Sequence, residues 1–499
     1  MFEGDRDRLL TRTWVLFFEQ LAQWQRGGGG GTQPEGWINV KTRGAKGDAK
    51  RLRVSITAGS TTITAPAGGL AELKGKRIAI SYGVLDSNGV ATSGGRFKST
   101  IVSVQSDTET TIHESAPATF AAPTGWMNAV AGTDDSAVIQ NCVKSGAVIY
   151  FPEGNYLLWD SGITVPPEMT GVRFMGLSNH ASWLCFAGEG SAIRIGDSTA
   201  NTNHHGIAHL QIDLTCAGPG AVAVTVTPSH YCHLLHSRFN SQALFTPATM
   251  QQTGLVLDGS GYTGSFGANF YWESNVIKGR FKRGVHMKGS QIGFGYNACQ
   301  FNHGTIIWES LSPPSKSAPA GQGYYGFHME QGNQNLAQMI DVEHYDVGWM
   351  IESFDNVFLS TRTEYSRTKG MRFASERSGQ TTGGTYCRVI GASHGEGIED
   401  QTGTSQIWAS GNVSSFENHI THYAYLDTTL SVRRDYPVIW EGSTGSSALI
   451  WRDEPGGPGV GYMGVFGDKK VNIHAGLSQL LECAGSISAS STSLSLSVY

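Results

Sequence analysis

The chain is poor in charge. Only 15% of its 499 residues are charged, and acids and bases nearly balance at 41 against 36. The bases form no run or stripe, which excludes the electrostatic footprint of a nucleic-acid binder. No apolar run approaches the ~20 residues that cross a bilayer as a helix, so no membrane partner is expected. The N-terminal run Trp14 to Phe18 is also too short for the apolar part of a secretory leader. Synthesis in a cytoplasm, without export by the usual route, is therefore the expectation. Seven cysteines, an odd number with no Cys-x-x-Cys pair, do not make a disulfide framework. Buried free thiols are expected instead. Helical periods are scarce. What abounds is glycine, with 65 residues. Together with many Ser and Thr, it points to short strands and turns.

The first helical period lies in residues 1–26. Leu10, Trp14, Phe17, Phe18 and Leu21 share one face, and Val15 and Leu16 lie off it. Such a helix is too apolar to stand alone, and an attachment peg is expected. Residues 27–37, with five glycines from Gly27 to Gly31, form a flexible linker. Residues 38–131 hold a first strand followed by a small β module of alternating β-branched runs. A body over 132–430 comes next, opened by a helix from Asp135 to Lys144 with Asp134 or Asp135 as its cap. Residues 431–499 read as a terminal β region that closes or trimerises the body.

The body carries a repeat. The segments "RGVHMK", "YGFHME", "VGWMIE", "KGMRFA" and "EGIEDQ" each place a strand after a glycine, and Gly326, Gly348 and Gly370 are 22 residues apart. Gly304 in "HGTIIW" fits the same phase, and Asn335 and Asn356 recur similarly. Alternation sends Val285, Phe327, Trp349, Met371 and Ile398 inward as one column, with Met287, Met329, Ile351 and Phe373 as the next. His286, His328, Met350, Arg372 and Glu399 then face outward. One coil cannot bury its apolar face, so about a dozen coils of ~22–25 residues must stack into a solenoid.

Two segments, "INVKTRGAKGD" (Ile38 to Asp48) and "GTDDSAVIQNCVKSGAVIYFPEGNYLL" (Gly132 to Leu158), resemble the two halves of the opening signature of the pectate-lyase-like right-handed β-helix superfamily. That signature is widespread in bacteriophage tailspikes and capsule depolymerases. The resemblance implies an all-β, single-stranded, right-handed parallel β-helix with an N-terminal capping helix, usually a homotrimer in phage proteins. It also implies an elongated groove for a bacterial surface polysaccharide. The virion tail, assembled in the host cytoplasm, is the implied location, with residues 1–26 gripping a tail or baseplate protein. It does not fix the chemistry, because the superfamily includes hydrolases, lyases, esterases and non-catalytic binders. Polygalacturonase motifs and the aspartate cluster of a calcium-dependent lyase are not convincingly present.

Hydrolysis of a glycosidic bond needs two carboxylates, one protonated and one ionised. Glu330 and Glu352 are one repeat apart and should stack on the outer face, where like charge would raise one pKa. Asp341 and Glu343 share a strand face by alternation, and Glu364 follows one coil later. Arg362, Arg367 or Arg372 could instead neutralise these acids as ordinary surface charges. Trp308, if it lies in the same column, offers a stacking surface. His328, Arg372, Tyr345 and Tyr365 are the further candidates for substrate contact, and a Tyr or His base would suit a lyase. His204, His205 and His209 lack a completing ligand, so no metal and no cofactor is expected. A non-catalytic tail protein and a cellular lyase of the same fold remain the alternatives.

Overall fold

The computed structural model describes residues 36–409, apart from 198–199, 261–266, 290–294, 310–316, 375–383, 385 and 403–404. Beyond 409 it describes only the strands 416–417, 430–433, 447–452, 459–465, 471–475, 487–490 and 493–496. The proposed peg and most of the linker lie outside the described residues.

The chain is a parallel β-helix. Two sheets of 16 strands run along it, with a four-stranded third sheet beside the middle coils. In the second sheet twelve described strands, from Ile163–Val165 to Ser447–Arg452, follow one another in parallel register. The inward columns match the alternation residue for residue. Val285 pairs with Phe327, Phe327 with Trp349, Trp349 with Met371, and Met371 with Ile398. Met287, Met329, Ile351 and Phe373 form the neighbouring column. All nine are 0–1% exposed, within one continuous core.

The glycine repeat has a steric cause. A Cβ on Gly284 would fall inside the van der Waals shell of Ile306, and one on Gly326 inside that of Val342. The strand after each glycine crosses directly over a side chain of the other sheet, so only a bare backbone fits. Gly304 does not belong to this column. It sits in the first sheet, between Asn275 and Ile340. The coil from Gly284 to Gly326 is therefore 42 residues long, because it carries the segment that precedes Gly323 as a side loop. Spacing alone could not separate one long coil from two short ones.

The two halves of the opening signature meet. Trp37–Asn39 pairs in parallel with Val148–Tyr150. Asp48 accepts hydrogen bonds from the Thr133 amide (2.9 Å) and hydroxyl (2.8 Å). Asp135 accepts from the Lys46 and Gly47 amides at 2.6 and 3.0 Å. The expected cap forms only in part, from Asp134 to the first amide of the helix and not from Asp135. Asp134 closes a turn onto the Ser136 amide at 3.0 Å, and Asp135 is committed to the first loop. The helix is shorter than expected, Ser136–Gln140. Ile139, Cys142 and Val143 still cover the open end of the first coil. This stops core and strand ends from pairing with other chains.

The intervening residues build a seven-stranded antiparallel sheet with its own core. Its long hairpin, Arg77–Leu85 and Ala91–Ser106, lies along successive coils. Lys98 Nζ donates to the Trp159 carbonyl (2.8 Å) and Arg96 to that of Ala187 (2.6 Å). The buried Arg280 donates to the Gly89 carbonyl at 2.6 Å. Six described cysteines are buried thiols outside any disulfide.

Candidate active site

The acids proposed from the sequence fall on two different sheets. Glu330 and Glu352 follow Met329 and Ile351 in the second sheet. Their amides donate to the Met287 and Met329 carbonyls at 2.9 and 2.8 Å, which places them in one column on adjacent coils. Asp341, Glu343 and Glu364 stand on the first sheet, where Asp341 pairs with Arg362 and Glu343 with Glu364.

The Glu330 strip is a closed hydrogen-bonded ladder. His286 and His328 pair in register, and their rings stack at 4.9 Å and 3°. His286 Nε2 lies 2.7 Å from Glu330 Oε1, and His328 Nε2 lies 3.2 Å from Glu352 Oε1. Arg283 Nε donates to His328 Nδ1 at 3.2 Å. A guanidinium can only donate, so that nitrogen accepts and the proton sits on Nε2, aimed at Glu352. Arg372 pairs with Glu399 at 2.7 Å rather than with either glutamate. Burial disfavours charge on Glu330. The bond from His286 and the charge of His286, His328 and Arg283 more than offset it, and hold the carboxyl down at about 2. Burial takes His286 down to about 4. The pair is thus a neutral imidazole donating to a carboxylate. The expected mutual repulsion of Glu330 and Glu352 does not control Glu330, because His328 lies against both, at 3.7 and 3.2 Å, and His286 bonds Glu330 from the other side.

His286, His328 and Glu330 bring one donor atom each within 4.8 Å of the others. Nitrogen lone pairs lie in their ring planes, and these two planes are nearly parallel, so they do not converge on one ion. Arg283 also occupies the free nitrogen of His328.

The first-sheet site is organised in the opposite sense. Asp341 and Glu343 are partly exposed on one face of the strand Leu336–Glu343. Burial, the charge of Asp341 and a hydrogen bond to it raise the pKa of Glu343 above its ordinary value, against the pull of Arg362 and Lys278. Glu343 therefore gives up its proton at a higher pH than an ordinary glutamate. Arg362 lies 3.8 Å from Asp341 and pairs with Glu364. Lys278 is drawn to Glu309 at 3.2 Å.

Beside these acids the chain turns a corner. His344 and Tyr365 take left-handed backbone angles there and stack their rings at 4.9 Å. Tyr365 is 62% exposed. The side loop stands next to them. Ala318 donates to the His344 carbonyl at 2.7 Å, Ser317 to that of Tyr365, and Gly321 to Asp346 at 2.8 Å. The acids, the aromatic corner and residues 317–321 thus adjoin one another.

Two candidates for substrate contact are elsewhere. Trp308 is in the first sheet, pairs with Gly279 and is 1% exposed. It packs edge-on to Tyr324 and offers no surface to a sugar. Tyr345 is fully buried. The repeat spacing suggests Trp308 and nearness in sequence suggests Tyr345, and both side chains are buried. Lys278 and Arg283 were missed. Lys278 lies two coils before Glu343, in register with it through Ile307, and the glycine after Arg283 hides its phase from alternation.

No family model matches the chain, and no curated protein does. Similar solved structures include ORF18 of Geobacillus virus E2, with 13% identity, TM-score 0.38 and 71% of this chain covered. This chain spans 65% of that protein's length. The A-module of the Azotobacter vinelandii mannuronan C-5 epimerase AlgE6 overlaps at 12% identity and TM-score 0.35, covering 65% of this chain and 96% of that one. The catalytic domain of a GH87 alpha-1,3-glucanase overlaps at 9% and 0.35, covering 77% and 81%. None of these likenesses bears on chemistry, and the fold rests on the strand register described above.

Proposed function

We propose that this protein is a phage or prophage tailspike that binds a bacterial surface polysaccharide and hydrolyses it at Asp341 and Glu343. One observation carries the reading. Two carboxyls share one partly exposed strand face, and burial together with the nearby Asp341 raises the pKa of Glu343. A raised pKa is what the acid of a glycoside hydrolase needs. Glu343 gives its proton to the leaving oxygen. Asp341 acts on the sugar carbon from the other side, directly or through water. Alternate residues on one strand face are ~6.5–7 Å apart along the backbone, a scale that accommodates either course as the side chains part around a sugar. Arg362 holds Glu364 and steadies Asp341. Tyr365 supplies a ring face for a pyranose beside the acids. A homotrimer, and attachment to the tail through residues 1–26, belong to the same proposal.

The test is incubation of the purified chain with capsule or lipopolysaccharide of the host. New reducing ends are expected. Unsaturated products would replace hydrolysis by lyase chemistry. Binding without any cleavage of the true receptor would leave a non-catalytic tail protein.

A further inference from the structure

A second site lies far from the carboxyl pair, where the inserted module meets the first coils. A cleft of about 490 Å³ opens there. That volume falls within the range of ~300–1,000 Å³ typical of small-ligand sites. Its lining includes Lys50, Arg51, Arg53, Trp126, Met127 and Asn155, and no acidic residue. Acids flank the opening from outside the lining, Glu72 at Lys50, Asp213 at Arg51 and Asp107 beside Gly68.

The three bases differ in availability. Arg51 is fixed, with Nε 2.9 Å from Asp213 and its guanidinium 4.3 Å above the Trp183 ring. Lys50 pairs at 3.1 Å with Glu72, whose side chain is 82% exposed. Such a surface pair is weak and readily exchanged. Arg53 has no carboxylate partner among the described residues, and its planar fork suits a carboxylate. Trp126 and Met127 are both partly exposed in the lining, and give an apolar surface beside that fork. The Asn155 amide donates to the Ala49 carbonyl at 2.9 Å, which turns its oxygen away from that bond.

We propose that this cleft binds an acidic saccharide, with Trp126 against the C–H face of the ring and Arg53 on a sugar carboxylate. The aromatic surface selects a sugar ring over a bare anion, and the cations select an acidic sugar over a neutral one. Asn155 lies on Gly154–Leu158, six strand steps along the first sheet from Leu336–Glu343. At ~4.8 Å per step the two sites are about 29 Å apart, so one polysaccharide chain can touch both. The cleft stands without the catalytic proposal, since it needs no cleavage to bind.

The test titrates the full chain with tetragalacturonate, a mannuronate tetramer, neutral maltotetraose and a single-stranded oligonucleotide of matched charge, by calorimetry. At least one uronate is expected to bind about tenfold more tightly than maltotetraose. Arg53→Ala and Trp126→Ala should each weaken it about tenfold, while Glu343→Gln leaves it unchanged. Arg53→Glu should abolish uronate binding, and circular dichroism checks that each variant is folded. The proposal is overturned if neither uronate binds, if the cleft variants bind like the parent, or if the oligonucleotide binds as well as the uronates. Loss of binding only in Glu343→Gln would move the ligand to the carboxyl pair.

Discussion

Two carboxylate strips lie on the same solenoid, built by the same device of stacked coils, and their chemistry is opposite. Glu330 is interleaved with His286, His328 and Arg283, and is held ionised down to about 2. Glu343 is set beside Asp341, and its pKa is raised. Neighbours on the same coil and on the adjacent one set the difference. An imidazole or guanidinium in register stabilises the anion, whereas a second carboxylate in reach stabilises the acid. The first strip is suited to structure and binding, the second to proton transfer.

The largest test of this contrast is a pair of substitutions. Glu343→Gln should lower cleavage by about 10²–10⁴-fold with the fold intact, as expected for loss of a general acid. Glu330→Gln should leave turnover within a few-fold but cost about 1–3 kcal/mol of stability through the lost charge-assisted bond. If the two phenotypes exchange, the assignment of the strips is reversed.

The contrast also has a pH signature. Glu343 works protonated, so cleavage should fall as pH rises through its raised pKa. The folded state retains that proton more tightly than the unfolded chain, so its contribution to stability is also lost in the rising direction. Glu330 and His286 behave oppositely, because both are depressed by folding. The His286 contribution is complete above ~6.5 and disappears as pH falls through about 4. That of Glu330 is complete above ~4.5 and disappears towards about 2. Thermal melts between pH 7 and pH 3 should show an acid limb that Glu330→Gln flattens below pH ~4.5 and Glu343→Gln does not. An unchanged limb in Glu330→Gln would remove the ladder from the account.

The smallest effects separate surface from core. Tyr365→Ala should raise KM a few-fold with little change in melting, given ~1 kcal/mol or less for one exposed stacking contact. Trp308→Ala should instead cost about 3–5 kcal/mol of stability without a selective effect on KM. A KM effect confined to Trp308→Ala would restore it to the site.

The fold was largely legible from the residues. Alternation named both inward columns, and the 22-residue spacing gave the stacking of Glu330 on Glu352, because a solenoid copies local periodicity into space. The halves of the opening signature also met as expected. Legibility failed where a coil departs from its mean length. The 42-residue coil misplaced Gly304, and with it Trp308. It failed again for Tyr345, which lies at a corner where alternation no longer reports the facing side. It also failed for Asp135, which binds a distant loop and leaves the helix start to Asp134.

By itself the sequence determined the periodicity, the inward columns and the residue types available on each outer face. These follow from strand geometry, which is local. The tertiary structure decided which sheet each acid joins, which base lies across from it and therefore which carboxyl has its pKa raised. Those outcomes depend on contacts between coils 20 to 45 residues apart, and electrostatic energies are set by distance in space rather than by separation along the chain.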